Sequence, residues 1–294
     1  SGGLAFACAV DAIKAGCDVT MAVGAEVQTT VSAREGGAYL ARASHYKRQS
    51  ALDDFVFPCL FARRIKACYD AGLVTPSDLA MLSVKAYSNA NKNPKAHMHH
   101  NTSMTTERAN ECSDKNPCFL KNPDYGSYLK LSDCSQVSDG GAGVILASEE
   151  GLVRIGIKPS DCIELVGIGH ATGNLYTDSN PLAMATTATA GNHAFKQANV
   201  SPKDINICEL HDCFTISEIL MLEALGFAEP GKGVELVRNG TLELDGVLPS
   251  NTGGGLVGFG HPVGATGIKQ IMEIYRQMKG QCDKYQINRD LKYG

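Results

Sequence analysis

The sequence lacks the marks of several whole classes of protein. It carries eleven cysteines, an odd number at scattered spacings, yet no Cys-x-x-Cys pair. That argues against a disulfide framework or a structural zinc site. It points instead to a reducing compartment in which most thiols act as small buried apolar groups. No apolar run reaches the length of a membrane span, and no signal-peptide pattern opens the chain. The first residue is Ser1 rather than Met, so the true start, and any targeting signal on it, is left open. Neither sign of charge dominates: 27 Lys and Arg face 31 Asp and Glu, for a formal net charge of −4. Both signs are dispersed, which leaves no nucleic-acid footprint and no polybasic membrane patch. The Gly-rich stretch 250–267 lacks the Gly-Lys-Ser/Thr ending of a Walker A loop. Nor does it follow a strand directly, as a dinucleotide fingerprint would.

What is present is a chain of 294 residues, 44% hydrophobic, long enough for two α/β units or one large one. Residues 2–16 read as a helix so apolar that it should be covered on nearly all sides. Gly16 ends it, and Cys17–Val23 alternates as a strand ending at Gly24. From about Arg34 to Asp133 the chain is more charged and richer in Asn, and reads as a helical and irregular insertion, with Gly36-Gly37 as a turn. Ser138–Gly143 then leads into a strand, Val144–Ala147. A second block follows: a strand over Ile163–Ile168, a helix over Pro181–Asn199, a strand over 205–210, a helix over 214–225 and a final helix, Ile268–Lys279. Strands alternating with helices imply parallel βαβ units around buried sheets, hence an α/β fold in two similar halves.

His211-Asp212-Cys213-Phe214 is the densest chemical signal. An apolar strand delivers a His and a Cys to the start of a helix, where unpaired N–H groups and the helix dipole lower a thiol's pKa. The nearby imidazole can hold or pass a proton. Taken alone, Cys213 would read as a buried inert thiol and His211 as the end of a strand; the combination favours chemistry. His261 stands between Gly260 and Pro262, on a constrained turn where function outweighs a mere turn role. Asp212 and Glu209 read as structural carboxylates. His97, His99 and His100 invite a metal reading, but no carboxylate or cysteine has ligand spacing close by, so a solvated loop is favoured. No metal site is expected. His45, His170 and His193, and Cys8, Cys17, Cys162 and Cys208, are read as structural. Arg63, Arg64 and Lys66 read as a solvated helix face that could also meet phosphate groups.

The run Gly253-Gly254-Gly255-Leu256-Val257-Gly258-Phe259-Gly260-His261-Pro262-Val263-Gly264-Ala265-Thr266-Gly267 resembles the Gly-His-Pro motif of thiolases. His211-Asp212-Cys213-Phe214 resembles the form this family's sterol-carrier-type branch carries in place of Asn-Glu-Ala-Phe. Ser135–Ala142 is similar to the segment closing the N-terminal half of that fold, and Ser1-Gly2-Gly3 to the end of its nucleophile motif. The resemblance spans essentially the whole chain. It implies two mixed-sheet halves in αβαβα layering. Residues 1–33 would be part of the N-terminal half, 34–133 the loop domain, 134–155 the end of that half, and 156–294 the C-terminal half.

It also implies thiolytic cleavage of a 3-ketoacyl-CoA, or the reverse condensation, in lipid metabolism. The resemblance gives His261 the activation of a nucleophilic cysteine and an oxyanion bond. His211 would complete the oxyanion site, and Cys213 would carry the enolate proton. Backbone N–H groups near Gly2 and Gly3 would face the acyl intermediate; Ser135, Gly253, Gly254 and Gly255 would lie along the pantetheine arm. The nucleophile would sit two positions before Ser1 and the last motif beyond Gly294, so the chain as given is expected to be an inactive fragment. No bound cofactor is expected: coenzyme A and acyl-CoA enter as substrates. A homodimer is expected, in a peroxisome or mitochondrion. Three rivals stand beside this reading: a ketoacyl-synthase-like condensing enzyme, a non-catalytic thiolase-like protein binding acyl-CoA or lipid, and a metal-dependent hydrolase built on His97–His100.

Overall fold

The computed structural model describes residues 2–174 and 180–294. Helix α1 (Gly2–Lys14) runs into strand β1 (Val19–Glu26). Five helices follow: α2 (Ala33–Leu40), α3 (Tyr46–Gln49), α4 (Val56–Asp70), α5 (Pro76–Lys92) and α6 (Thr106–Asn110). Strand β2 (Gly140–Ala147) and helix α7 (Glu149–Ile155) come next. The C-terminal part holds α8 (Ala185–Ala198), α9 (Thr215–Ala224), α10 (Gly233–Arg238) and α11 (Val263–Met278). A π-helical turn, Gly255–Phe259, precedes α11.

β1 and β2 pair antiparallel, Val19 opposite Ala147 and Glu26 opposite Gly140. The inner face of this ribbon meets α1 and α11 in a small core of Ala9, Ala22 and Ile268, with Phe6, Val144 and Met272 packed around it. Gly24 allows the close approach: a Cβ there would run into the Gly264 carbonyl. The larger core joins Ile65, Leu79 and Leu82 of the helical segment to Ile216, Ile219 and Leu222 of α9 and to Leu210, Leu242 and Leu248. The helix α5 starts cleanly because Thr75 and Asp78 form a reciprocal capping box, with Pro76 at the first helical position.

Several expectations need correction. The first helix is not covered on all sides. Its Ala9 and Val10 side is buried towards the β1–β2 ribbon and α11, but Leu4 stays 59% exposed. The stretch Ile163–Ile168 joins no strand ladder among the described residues. It leans on α8, with the Ile168 amide donating to Gln197 Oε1 at 3.1 Å, and Gly167 and Gly169 pressed against the Ala194 and Ala190 carbonyls. Residues 205–210 likewise form no long strand. Cys208 makes a single parallel bridge to Ser250, and Asn206 N donates to the Tyr293 carbonyl. The Gly36-Gly37 pair lies inside α2 rather than in a turn, since Ser32 caps that helix through the Glu35 amide. Buried thiols are a minority: Cys59, Cys68, Cys134, Cys208 and Cys282 are buried, whereas Cys8 and Cys17 are exposed, and all eleven are free.

Candidate active site

The peptide His211–Phe214 and the turn Gly260–Pro262 meet. The His211 and His261 rings stand edge to face with centroids 5.0 Å apart. Phe214 is the N-cap of α9, and Cys213 sits one residue outside it. The Cys213 carbonyl accepts from Ser135 N at 2.9 Å, and Cys134 bridges Phe214 antiparallel. Asp133 Oδ1 accepts from the Thr215 hydroxyl at 3.1 Å. Residues 133–135 therefore clamp the start of α9 and fix the Cys213 backbone.

Each imidazole has a partner on α11. Thr266 Oγ1 lies 2.7 Å from His261 Nδ1 and donates its proton to the Pro262 carbonyl at 3.0 Å. A hydroxyl has one proton to give, so Nδ1 must be the donor to Thr266. That leaves Nε2 of neutral His261 as a free base. Burial first, and the neighbouring His211 second, push the His261 pKa down to about 3, which keeps the ring neutral. Burial also lowers His211, opposed by a hydrogen bond with Gln270, four residues after Thr266 on α11. The two partners thus share one helix face.

Cys213 overturns the expectation of an acidified thiol. Burial dominates and pushes it up to about 12, while the Ser217 hydroxyl, 3.7 Å away, and the local amides pull the other way and lose. Standing outside the first helical turn, the thiol gains little from the dipole, which falls off within that turn. At neutral pH it keeps its proton, which suits a proton donor rather than a nucleophile.

Asp212 points into the protein. Its carboxylate accepts from Leu256 N at 2.7 Å and from Val257 N at 3.5 Å, holding the π-helical turn. Burial raises it to about 7. Gly255 sits under it at φ +59°, where any Cβ would collide with the carboxylate. Gly253, Gly254 and Gly255 are all buried, and the Gly253 carbonyl accepts from Asn93 Nδ2 at 3.1 Å. Glu209 is also buried, raised to about 7, with Lys269 Nζ 3.6 Å away. Gly2 and Gly3, at the start of α1, pack against Gly264, Gly267 and Ile268, just past His261; Ser1 lies outside the described residues.

The sequence reading missed Gln28, Ser138, Thr266 and Gln270. Gln28 Nε2 donates to the carbonyls of both His261, at 2.7 Å, and Ser138, at 3.0 Å. His97 is more than part of a solvated loop: its Nδ1 meets Ser138 Oγ at 2.9 Å and its amide donates to the Phe259 carbonyl. Single polar residues whose partners lie far away in the chain leave no local signal. Thr266, five residues after His261, was the one within reach. Arg64 is not a solvated residue either: its guanidinium caps the Pro181 and Ala183 carbonyls at 2.9 and 3.0 Å. Lys66 pairs with Asp70 on the surface of α4. Among the described residues no three His, Cys, Asp or Glu side chains gather as a metal site would require.

Residues 167–291 match the family described as thiolase C-terminal domain-like. The acetyl-CoA acetyltransferase of Methanothermobacter thermautotrophicus is 34% identical over 289 residues, covering 98% of this chain and 71% of that protein. The chain belongs to the thiolase superfamily. Within it the affinity is to the sterol-carrier type: sterol carrier protein 2 of Oryctolagus cuniculus is 34% identical over 165 residues, 54% of this chain and 30% of that protein. A solved structure described as the Ltp2-ChsH2(DUF35) aldolase superposes with a TM-score of 0.76 at 25% identity, over 99% of this chain and 73% of that one. The thiolase α/β fold expected from the motifs is therefore the fold of this chain, even though its described strands are few.

Proposed function

We propose that this protein catalyses acyl transfer between a 3-ketoacyl-CoA and CoA, or the reverse condensation. The observation that carries the reading is the meeting of His211 and His261, fifty residues apart in sequence, with Cys213 two residues after the first. In cleavage, the bond between the α and β carbons breaks and leaves an acetyl-CoA enolate. His211 would donate to the developing oxyanions, joined by His261 Nε2 once it has taken the proton of the nucleophile, and Cys213, held as a thiol, would protonate the enolate carbon. In the synthetic direction the same thiolate would take a proton from acetyl-CoA. The free Nε2 of His261 would accept the proton of a thiol nucleophile. Gly2 and Gly3 would offer amides at a helix N-terminus to the acyl intermediate. Ser135 and Gly253–Gly255 would border the pantetheine arm. The segment 34–133 would act as a loop domain laid over the C-terminal half 156–294, with 1–33 and 134–155 belonging to the other half. A homodimer belongs to the same reading: Met21 and Ile145, 63% and 66% exposed, lie on the outer side of the β1–β2 ribbon.

The test is exchange of the acetyl-CoA α protons with deuterium in the intact protein, followed by NMR, because exchange needs only the enolate half of the reaction. Wild type should exchange, and Cys213→Ala should lose about 100-fold or more, the usual contribution of a positioned acid/base group. Unchanged exchange in Cys213→Ala would remove that residue from the mechanism. Binding without any exchange would favour the acyl-CoA-binding alternative. A second reading draws support from the aldolase neighbour, which resembles nearly the whole chain. A retro-aldol split of a 3-hydroxyacyl-CoA passes through the same enolate without an acyl-cysteine. Offering 3-ketoacyl-CoA plus CoA in one assay and a 3-hydroxyacyl-CoA alone in another separates the two.

A further inference from the structure

We propose that Cys112 and Cys118 form a redox modification site, closing to an intramolecular disulfide when the protein meets a hydroperoxide or a small-molecule disulfide. The two thiols share a folded-back loop. Ser113 and Asn116 form an antiparallel bridge, and the amide of Cys118 donates to Cys112 Sγ at 3.2 Å. The Cys118 thiol itself donates to the Ser127 carbonyl at 3.6 Å. The loop is already ordered. Asn116 Nδ2 donates to the Arg108 and Glu111 carbonyls at 2.8 and 3.1 Å, its Oδ1 accepts from Ser132 N at 2.8 Å, and Arg108 holds the Lys115 carbonyl at 3.0 Å. Cys118 is anchored by a bridge to Lys130. The loop thus already holds Cys112 Sγ against the Cys118 backbone, the proximity that a disulfide needs.

The pair is asymmetric in a way that orders the steps. Cys112 is exposed, whereas Cys118 is half-buried, and burial together with Cys112 pushes its thiol up to about 12. Cys112 is the group that meets the oxidant first, because it is exposed and exposure governs access. With hydrogen peroxide, Cys112 sulfur attacks one peroxide oxygen, the O–O bond breaks, and a sulfenic acid and a water result. Cys118 sulfur then attacks the Cys112 sulfur and displaces the hydroxyl, which leaves as water with the Cys118 proton. Both thiols are oxidised and one peroxide is reduced to water. With glutathione disulfide, Cys112 forms the mixed disulfide and Cys118 releases the second glutathione.

The site neighbours the catalytic residues through one chain of contacts: Asn116 fixes Ser132, and the adjoining Asp133 and Ser135 hold Thr215 and Cys213. It does not depend on the acyl-transfer reading. The experiment treats the intact native protein with hydrogen peroxide or glutathione disulfide, blocks free thiols, digests with trypsin without reductant and identifies peptides by mass. Trypsin cuts after Arg108, Lys115 and Lys121, so the disulfide would join peptide 109–115 to peptide 116–121, separable by dithiothreitol. Cys118→Ser should instead accumulate Cys112 bearing glutathione, and Cys112→Ser should leave Cys118 free. Recovery of unlinked peptides from wild type while exposed Cys8 or Cys17 reacts would overturn the proposal. So would Cys112 stopping at the mixed disulfide with Cys118 intact.

Discussion

Thr266 sets which nitrogen of His261 carries the proton, and through it what the ring can do. Its hydroxyl is committed to the Pro262 carbonyl, so it can only accept from Nδ1. Thr266→Val keeps the shape and removes the acceptor. A hydrogen bond of about 1–1.5 kcal/mol is then lost, or roughly tenfold in the rate of acetyl-CoA proton exchange, and Thr266→Ser should restore it. The neutral ring also leaves a mark on stability. The folded pKa of His261 is about 3, below its unfolded value of 6.5, so the unfolded chain binds the proton more readily. Above pH 6.5 both states are neutral and the group contributes no slope. As pH falls from 6.5 toward 3, stability declines, by up to about 1.4 kcal/mol per pH unit for this one group. Asp212 and Glu209, both raised to about 7, slope the other way between pH 7 and pH 5, so the His261 share is read as the difference between wild type and His261→Asn in urea unfolding at the two pH values. Asp212 works at the same scale but for the backbone. Asp212→Ala would leave the Leu256 and Val257 amides without their acceptor and should destabilise the protein by about 2–3 kcal/mol in the same assay.

At the scale of elements, the sequence was most legible where a pattern is local. The helix ends near Gly16, the strand into Ala147, the helix after Cys213 and the last helix were all in place to within a few residues, because periodicity and caps are written in neighbouring positions. The stretches 163–168 and 205–210 were read as strands from their apolar content, yet a strand also needs a partner edge, and that partner is set far away in the chain. Burial of α1 failed for the same reason. Composition says which residues can be buried, but only the neighbours present decide which are. Cys213 shows the limit at the site: its place beside a helix start was legible, while the desolvation that outweighs the dipole depends on the larger core it packs against, assembled from residues far away in the chain. The crossing of β1 and α11 gives an element-scale prediction. Gly24→Ala would push a methyl into the Gly264 carbonyl at the root of the helix that holds both imidazole partners. A loss of about 1–3 kcal/mol is expected from overpacking at a backbone contact, with proton exchange falling in step as α11 shifts. Gly3→Ala meets open space and serves as the control, with little change in stability.

Across the whole molecule, one buried charge cluster ties the helical segment to the part that carries the site. Lys85 of α5 and Glu218 of α9 form an ion pair, each side chain 3% exposed or less, and Lys85 Nζ donates to Ser250 Oγ at 2.6 Å. Ser250 in turn donates to Glu218 and bridges Cys208, so residues from 85, 208, 218 and 250 converge behind His211–Phe214. An ion pair buried this deeply is retained only while both partners are present; removing one leaves the other charge unpaired in a medium that solvates it poorly. Lys85→Met should therefore cost about 3–5 kcal/mol, enough to remove much of the stability of an ordinary domain. The double variant Lys85→Met with Glu218→Leu should recover most of that loss, since no charge is stranded. Chemical denaturation followed by far-UV circular dichroism and by near-UV signal from Tyr87 and its neighbours would decide the matter. If the segment 34–133 and the C-terminal part are one cooperative body, both signals should fall together in the single variant and return together in the double. Separate transitions would mean that the loop segment folds as its own unit and that the ion pair is a local contact between two bodies.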